Sequence, residues 1–310
     1  MDQSEIARVV DDMRTLITTR YVHPEDGVRI GELIGTRAAA GRYADAADPA
    51  DLAARVTADA QELNGDLHLR LIAHDEPLPE PTDTTTEAGE AAIEAAFAAR
   101  AERTMGGIAR VERLDDGVGL LAIEPTLWQT TLVGDAIAAA MTILARTRAL
   151  VLDLRGCVGG DPGTVALVCS YLLPPETHLN DIVNRIPGGG EQTIQFWTLP
   201  YVPGPRYGTE RPVAVLTSGR TFSGGEELAY DLQQAGRATL VGETTRGGAH
   251  PRIGVPVHPH LEASIPVARS LHPVTGTNWE GVGVSPDIAV PADDALAAAL
   301  THLAGLARPA

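Results

Sequence analysis

Residues 212–236, PVAVLTSGRTFSGGEELAYDLQQAG, predict a strand and then a helix, with Ser223 at the junction. Residues 213–216 form a short apolar run rich in β-branched side chains, which is typical of a buried strand. Four apolar residues then recur at helical spacing, and Gly236 follows where a helix would end: Leu228, Ala229, Leu232 and Ala235. A residue at the start of that helix lies beside unpaired backbone N–H groups and a dipole that favours an anion.

Ser223 has two interpretations on this stretch alone. The spacing of Ser223 and Glu226 is the Ser-x-x-Glu signature of a capping box, a common structural device. A strand, a tight turn, a serine and a helix N-terminus also present a nucleophile. Gly224 and Gly225 would then let a substrate approach the backbone closely. The catalytic interpretation requires partner residues elsewhere in the chain.

Composition and charge exclude several classes of function. The 310 residues fit one large domain or two. The net charge of -17 disfavours nucleic acid and anionic membranes as partners, because binding phosphates needs clustered cations. All 24 basic residues are arginines, so a serine–lysine dyad is impossible. No segment reads as a signal peptide or as the ~18 uncharged apolar residues of a membrane helix. We therefore expect a cytoplasmic protein without a membrane partner.

Helical patterns dominate the start of the chain. Apolar residues from Ile6 to Ile17 follow helical spacing, and a second helix is predicted over residues 27–40. A third helix has strong start signals, with Asp48 as its cap and Pro49 at its first position. Residues 1–64 are therefore predicted to form a small N-terminal helical domain.

Residues 65–104 are predicted to join this domain to the rest of the protein. After a turn signal at residues 64–66, residues 67–71 alternate between leucine and polar residues, which predicts a half-buried strand. His68 and Arg70 would lie on its polar face. A proline- and threonine-rich loop over residues 77–90 and a helix over residues 91–103 follow.

Residues 105–310 change to alternating strands and helices. The pattern predicts strands at 118–123, 149–154, 213–216 and 239–242 and helices at 133–145, 164–173 and 294–306. Residues 187–208 are rich in glycine and proline and predict a surface excursion. Repeated strand–helix units imply an α/β fold with a mostly parallel sheet, so strands 118–123, 149–154 and 213–216 should share one sheet.

Other candidate residues each have a plain structural alternative. Alone, His68 is more typical of a packed or surface histidine than of a catalytic base. The remaining histidines match no standard zinc signature, so we expect no metal site. The glycine-rich turn after residue 154 is either a simple turn or an oxyanion site. Glu280 beside Trp279 is either solvated or partly desolvated and hydrogen-bonded. Cys157 and Cys169 do not make a disulfide framework.

Six segments in this order resemble the tail-specific, C-terminal-processing serine peptidases. The branch they resemble contains the tricorn core and the interphotoreceptor retinoid-binding protein repeats. The segments are RYVHPE (20–25), NGDLHLRL (64–71), LDLRGCVGG (152–160), LTSGRTFSGGEELAYDLQ (216–233), VGETTRGGAHP (241–251) and PVTGTNWEGVGVSPDIAV (273–290). The resemblance implies an N-terminal helical bundle and a ClpP/crotonase-like core of ββα units. Many relatives also carry a PDZ domain, but the segment from about 75 to 104 is too short for one, so none is expected.

The resemblance also assigns roles to residues. Ser223 matches the nucleophile, His68 the general base and Glu280 the acidic residue. The backbone amides of Gly159 and Gly224 match the oxyanion hole, and no cofactor is implied. A second branch uses a lysine base, which this chain lacks.

The chain departs from the family pattern at three positions. Leu67 replaces the serine that precedes the histidine, and Cys157 replaces an asparagine in the glycine turn, where a packing role is expected for its side chain. Arg246 lies in a segment that is usually glycine-rich, where it would narrow the site or bind a substrate carboxylate.

Three functions stay open on the sequence. The first is a peptidase that cleaves peptides or unstructured proteins through an acyl-enzyme. The second is a non-catalytic binding protein for a retinoid or fatty acid. The third is an acyl hydrolase that acts on a small molecule. The presence of Ser223, His68 and Glu280 together favours the first. The oligomeric state cannot be read from the sequence.

Overall fold

The structure is a computed structural model that describes residues 1–78 and 87–306. The chain divides into two compact units. The first contains Met1–Ala91, Ile182–Ile194 and His250–Ser270. The second contains Ala92–Asp181, Gln195–Ala249 and Leu271–Ala310.

The described ranges contain eight α-helices and twelve strands. The helices are α1 (Gln3–Arg20), α2 (Pro24–Ala39), α3 (Pro49–Gln61), α4 (Glu87–Arg103), α5 (Thr130–Leu144), α6 (Pro162–Leu172), α7 (Gly224–Gln234) and α8 (Ala295–Leu306). The strands are β1 (Arg70–Ala73), β2 (Ile108–Arg113), β3 (Val118–Ile123), β4 (Ala149–Asp153), β5 (His178–Arg185), β6 (Glu191–Trp197), β7 (Val213–Thr217), β8 (Thr239–Gly242), β9 (Arg252–His258), β10 (Leu261–Pro266), β11 (Ala268–Leu271) and β12 (Ile288–Ala289).

The first unit packs three helices with a small antiparallel sheet in the order β1-β10-β9. The predicted start of α3 is present, because Asp48 accepts a hydrogen bond from the N–H of Asp51 at 2.8 Å and Pro49 occupies the first helical position. One apolar cluster joins the helices to the sheet, with members such as Met13, Ile30, Leu52, Leu69 and Leu261. The prediction of a helical N-terminal region is confirmed.

The second unit contains a six-stranded sheet in the order β12-β8-β7-β4-β3-β2. All neighbouring strands are parallel except β2, which runs antiparallel to β3. Strand β7, which leads to Ser223, lies between β4 and β8, so the end of the strand is held on both sides. The predicted α/β class, and the placement of the strands at 118–123, 149–154 and 213–216 in one sheet, are confirmed.

Helices cover both faces of this sheet. Leu152 and Val215 belong to the apolar cluster that also contains residues of α5, α6 and α7. Val151 and Leu216, one position along each strand, belong to the cluster with α8. Adjacent side chains of a strand point to opposite faces, so strands buried on both sides need the unbroken apolar runs seen in the sequence.

Three further strands form a separate sheet in the order β11-β5-β6. The division between the two units falls within each of these strands. Strand β6 lies within the predicted surface excursion over residues 187–208 and is exposed at every residue except Phe196. The glycines at 188–190 make a turn, in which the N–H of Ile186 donates to the carbonyl oxygen of Gly190, and the chain returns as a strand. Glycine marked the turn of a hairpin here.

The predicted strand over residues 67–71 is wrong for its first half. Strand β1 begins at Arg70, and His68 lies in the turn before it. The cause is local: the carboxylate of Asp66 accepts the N–H of His68 at 2.9 Å, a turn that competes with strand pairing. His68 is also buried, at 5% exposure, and not on a polar surface.

The predicted loop over residues 77–90 overlaps the start of a helix. Helix α4 begins at Glu87, so the last residues of that prediction are helical, whereas residues 79–86 lie outside the described residues. The domain boundaries at 64 and 104, the crotonase-like character of the core and the lack of a PDZ domain stay predictions. Among the helices of the described ranges, none combines the length and apolar character needed to cross a membrane.

Candidate active site

Ser223 lies in a sharp turn between β7 and α7. Its backbone has φ 52° and ψ -122°, and α7 begins at the next residue. A positive φ of this kind is rare for a residue with a side chain and costs on the order of 1–3 kcal/mol. The turn is supported from β4, because the Thr221 hydroxyl donates to the carbonyl oxygen of Leu154 at 2.9 Å. A strained serine on a strand–turn–helix is the arrangement that exposes the nucleophile in α/β-hydrolases.

The glycine-rich turn after β4 lies directly against Ser223. Gly159 has φ 125°, and a Cβ atom at this position would lie 2.9 Å from the Cβ of Ser223. Within the described ranges, neither the N–H of Gly159 nor that of Gly224 donates a hydrogen bond. Two unused N–H groups at a helix start and a facing turn can bind the oxyanion of an acyl-transfer intermediate.

Glu226 occupies the first turn of α7 and is fully buried. Its carboxylate accepts the N–H of Ser223 at 2.8 Å, which is one half of a capping box. In the other half, Ser223 stands in the capping position and its side chain faces the N–H of Glu226. The N–H of Glu226 also donates to the carbonyl oxygen of Ser223 at 2.8 Å. The N–H of Glu226 therefore has an acceptor besides the serine hydroxyl.

The segment 245–249 is hydrogen-bonded to the loop that contains Glu280. The carboxylate of Glu280 accepts the N–H of Ala249 at 2.5 Å. The indole N–H of the neighbouring Trp279 donates to the carbonyl oxygen of Gly248 at 2.8 Å. Glu280 is half-buried and Trp279 is buried. The interpretation of Glu280 as a partly desolvated, hydrogen-bonded carboxylate is confirmed.

Arg246 lies beside the turn at residues 221–223 that ends in Ser223. Its backbone N–H donates to the carbonyl oxygen of Thr221 at 3.0 Å, and its guanidinium carbon lies 5.0 Å from the centre of the Phe222 ring. The side chain is exposed. Stacking on an aromatic face holds a guanidinium in place while it keeps its donors free for a carboxylate.

His68 belongs to the first unit, where a buried polar network surrounds Asp66. The carboxylate of Asp66 accepts the backbone N–H of His68 at 2.9 Å, the hydroxyl of Tyr21 at 2.8 Å and a hydrogen bond with Nδ1 of His250 at 2.7 Å. Burial lowers the pKa of His68 to about 4, although Asp66 acts in the opposite direction. The imidazole of His68 is therefore neutral at pH 7 and able to accept a proton.

The two cysteines are structural. Cys157 is buried behind the glycine turn, and a Cβ atom at Gly225 would meet its carbonyl oxygen at 2.9 Å. Burial raises the pKa of the Cys157 thiol to about 11 and that of Cys169 well above its usual value. A thiol that stays protonated is a poor nucleophile, which agrees with the packing role expected for Cys157.

The second unit thus brings together Ser223, Gly159 and Gly224, with Arg246 alongside and Glu280 attached through Ala249. His68 lies in the first unit, and its hydrogen bond with Ser223 stays a prediction. The structural importance of Glu226 and Asp66 was not evident from the sequence, although both lie inside the motifs quoted above. The sequence indicated Glu226 only as a cap and Asp66 only as part of a turn signal.

Comparisons with solved structures agree with this fold. A putative peptidase from Parabacteroides merdae superimposes with a TM-score of 0.63 at 16% identity, over 98% of this chain and 97% of that one. A lipoprotein from Streptococcus agalactiae gives 0.60 at 14% identity, over 98% and 97%. The tricorn protease gives 0.58 at 14% identity, over 98% of this chain and 36% of that one. The chain spans 47% of the photosystem II D1 C-terminal processing protease.

Two family profiles match the sequence itself. The N-terminal domain of peptidase S41 in eukaryotic IRBP matches residues 3–102. Peptidase family S41 matches residues 118–290, more than half of the chain and all of the stretch that holds Ser223, Gly159, Arg246 and Glu280. The chain therefore belongs to peptidase family S41, the serine-type peptidases that its six sequence motifs resemble.

Proposed function

We propose that this protein hydrolyses peptide bonds through an acyl-enzyme formed on Ser223. The observation that carries the proposal is the backbone of Ser223, held at φ 52° between a buried strand and a helix N-terminus. A serine used only as a helix cap has an extended backbone and needs no such conformation. A nucleophile does need it, because the turn lifts the hydroxyl away from the sheet.

His68 is the proposed general base. Its neutral imidazole would take the hydroxyl proton while Oγ of Ser223 bonds to the scissile carbonyl carbon. The same proton then passes to the departing amine as the carbon–nitrogen bond breaks. Water attacks the resulting ester with the imidazole again as base, which releases the acid and restores the serine. The low pKa of His68 keeps the base form present at neutral pH.

Glu280 and two backbone amides complete the proposed site. Glu280 would orient the imidazole and stabilise its cationic form, as the acidic residue of a triad does. The N–H groups of Gly159 and Gly224 would bind the oxyanion, and their lack of other acceptors in the described ranges supports this role.

The proposed substrates are peptides or unstructured proteins in the cytoplasm. Arg246 is the proposed binding group for a substrate carboxylate, which its exposed guanidinium over Phe222 supports. Hydrolysis of small acyl compounds uses the same chemistry. A comparison of kcat/KM for peptides and for small esters separates the two activities.

Labelling with a fluorophosphonate tests the proposal. Wild type should form a covalent adduct on Ser223 and cleave an unstructured peptide pool, whereas Ser223→Ala should do neither with its fold intact. His68→Ala should lose nearly as much activity, because nucleophile and base act as one unit. Glu280→Gln should retain more, since it removes no reacting group. A folded wild type that neither labels nor cleaves would refute the proposal.

A binding role has one observation in its favour. A half-open groove of about 480 Å³ lies on the first unit, lined by residues of α1 and α2 and by Tyr43 and Ala44. This size falls in the range of small-ligand pockets. Micromolar binding of a retinoid or fatty acid by a protein that does not label with fluorophosphonate would favour this second function.

A further inference from the structure

We call residues 221–223, which end in the proposed nucleophile Ser223, the nucleophile turn. The carboxylate of Glu226 lies where this turn meets the segment 245–249. One oxygen accepts the N–H groups of Ser223 and Gly248, at 2.8 and 2.9 Å. The other accepts the N–H of Gly247 at 2.7 Å and the hydroxyl of Thr245 at 2.5 Å. Two carboxylate oxygens offer about four acceptor sites, so all of them are used.

Three of these four hydrogen bonds connect α7 to residues 245–248. This segment is hydrogen-bonded in turn to the loop that contains Glu280. The N–H of Ala249, one residue beyond Gly248, donates to the Glu280 carboxylate. The carbonyl oxygen of Gly247 accepts the N–H of Gly281 at 3.1 Å. The residues that contact Glu226 are therefore bonded in turn to the residues on either side of Glu280. A helix cap alone requires only the bond to Ser223.

We propose that ionised Glu226 is a positioning residue, which fixes the nucleophile turn and the Glu280 loop relative to each other. The inference rests on the proposed roles of Ser223 and Glu280. Glu226 touches no substrate and acts through the backbone N–H groups it binds. Loss of its charge would let the two segments move independently, and small displacements of catalytic groups lower rates strongly.

The ionised form is required by the donors around it. Ser223, Gly247 and Gly248 contribute backbone N–H groups and Thr245 a hydroxyl, so a protonated oxygen or an amide NH2 would face another donor. Burial raises the pKa of Glu226, and these four hydrogen bonds oppose that effect. As the pH falls, Glu226 should therefore become protonated, and its hydrogen bonds to the two segments should weaken, at a higher pH than for an exposed glutamate.

Glu226→Gln is the direct test, with Glu227→Gln as its matched control. Glu227 is the next residue of α7 and is also buried, but its carboxylate accepts from Asn180 instead of the nucleophile turn. Glu226→Gln should slow fluorophosphonate labelling of Ser223 roughly 100-fold. Glu227→Gln should label at the wild-type rate. Unfolding midpoints are measured alongside, and labelling is done well below them.

A comparison of Thr245→Val with Thr245→Ser tests the hydrogen bonding of the Glu226 carboxylate without changing Glu226 itself. The valine removes one donor to the carboxylate and should slow labelling about tenfold. The serine keeps the hydroxyl and should retain the wild-type rate. Labelling rates are also followed from pH 4 to 8. The wild-type decrease on the acid side should begin at a higher pH than in Glu226→Gln, which lacks the ionisable group.

The outcomes separate this inference from the proposed function. A labelled wild type with an unchanged rate in Glu226→Gln overturns the inference and leaves the function standing. Equal losses in Glu226→Gln and Glu227→Gln also overturn it, because they would show a general effect of buried substitutions. An unlabelled wild type overturns the function and the inference together.

Discussion

Gly159 and Ser223 are so close that a Cβ atom on the glycine would lie 2.9 Å from the Cβ of the serine. Contacts below about 3 Å between such atoms force the backbone to move, so the glycine turn and Ser223 fit together only if residue 159 has no side chain. The same closeness places the N–H of Gly159 beside the proposed reaction centre.

Gly159→Ala should therefore lower activity through both clash and backbone strain. We expect a decrease in kcat/KM of roughly 100-fold or more, measured with an unstructured peptide. Gly189→Ala is the control, since Gly189 has a similar φ of 118° but nothing within 4 Å of its Cβ position. If both variants keep wild-type activity, the oxyanion role of this turn is wrong.

Substitutions of Ser223 should separate strain from capping. Ser223→Gly relieves the positive φ and should be more stable than wild type by about 1 kcal/mol, whereas Ser223→Ala should not. A serine that served only as a cap would make both variants less stable than wild type. Urea unfolding of the three proteins gives the answer. Both variants should be inactive under the proposed mechanism.

His68 should make the stability of the fold depend on pH. Its folded pKa of about 4 lies below the usual value of 6.5, so protonation favours the unfolded chain. Its contribution is complete above about pH 6.5 and decreases as the pH falls toward 4. His68→Gln should unfold with a smaller difference between pH 7 and pH 5 than wild type. His302→Gln, which removes a partly buried histidine from α8, controls for the loss of an imidazole.

The buried carboxyl groups of Glu227 and Asp231 should make the stability of the fold depend on pH in the sense opposite to His68. Both are buried on α7, and in the described ranges neither carboxylate oxygen of Asp231 has a hydrogen-bond partner. Burial raises the pKa of Glu227 to about 7 and that of Asp231 well above its usual range. Stability should therefore decrease as the pH rises from about 4.5 to 7. Asp231→Asn should raise the melting temperature more at pH 8 than at pH 5, and an equal change at both would contradict the assignment.

Arg246 should determine preference for acidic substrates. Arg246→Gln should lower kcat/KM for peptides with a carboxylate near the scissile bond about tenfold and leave neutral peptides unchanged. Arg220→Gln is the control, because Arg220 is also exposed in the turn before Ser223. High salt should weaken the preference of wild type, as expected for an exposed charge. An equal loss for both peptide classes would assign Arg246 a structural role.

Local signals made the structure around Ser223 predictable. The apolar run of β7, the spacing within α7 and the glycines after Ser223 all point to the same local structure. Helix α3 was equally clear because Asp48 and Pro49 mark its start. In each case the residues that decide the structure lie within a few positions of one another.

Partnerships between distant residues could not be predicted. Glu226 binds Ser223 three positions away, as its spacing indicates, but its other donors come from residues 245–248. His250 meets Asp66 across 184 positions, and no periodicity reports such a contact. His68 was misplaced on a strand because the alternation of leucines outweighed the turn made by Asp66. The contacts of Glu226 with residues 245–248 and of His250 with Asp66 depend on the folded chain and leave no local pattern in the sequence.

The backbone of Ser223 also bears on how such a protein would change under selection. An unfavourable φ is a cost in every molecule, and a single substitution to glycine would remove it. Only the need for a reactive hydroxyl would keep a serine there. A lineage that gave up catalysis would be free to drift toward glycine at this position and to become more stable as it did so.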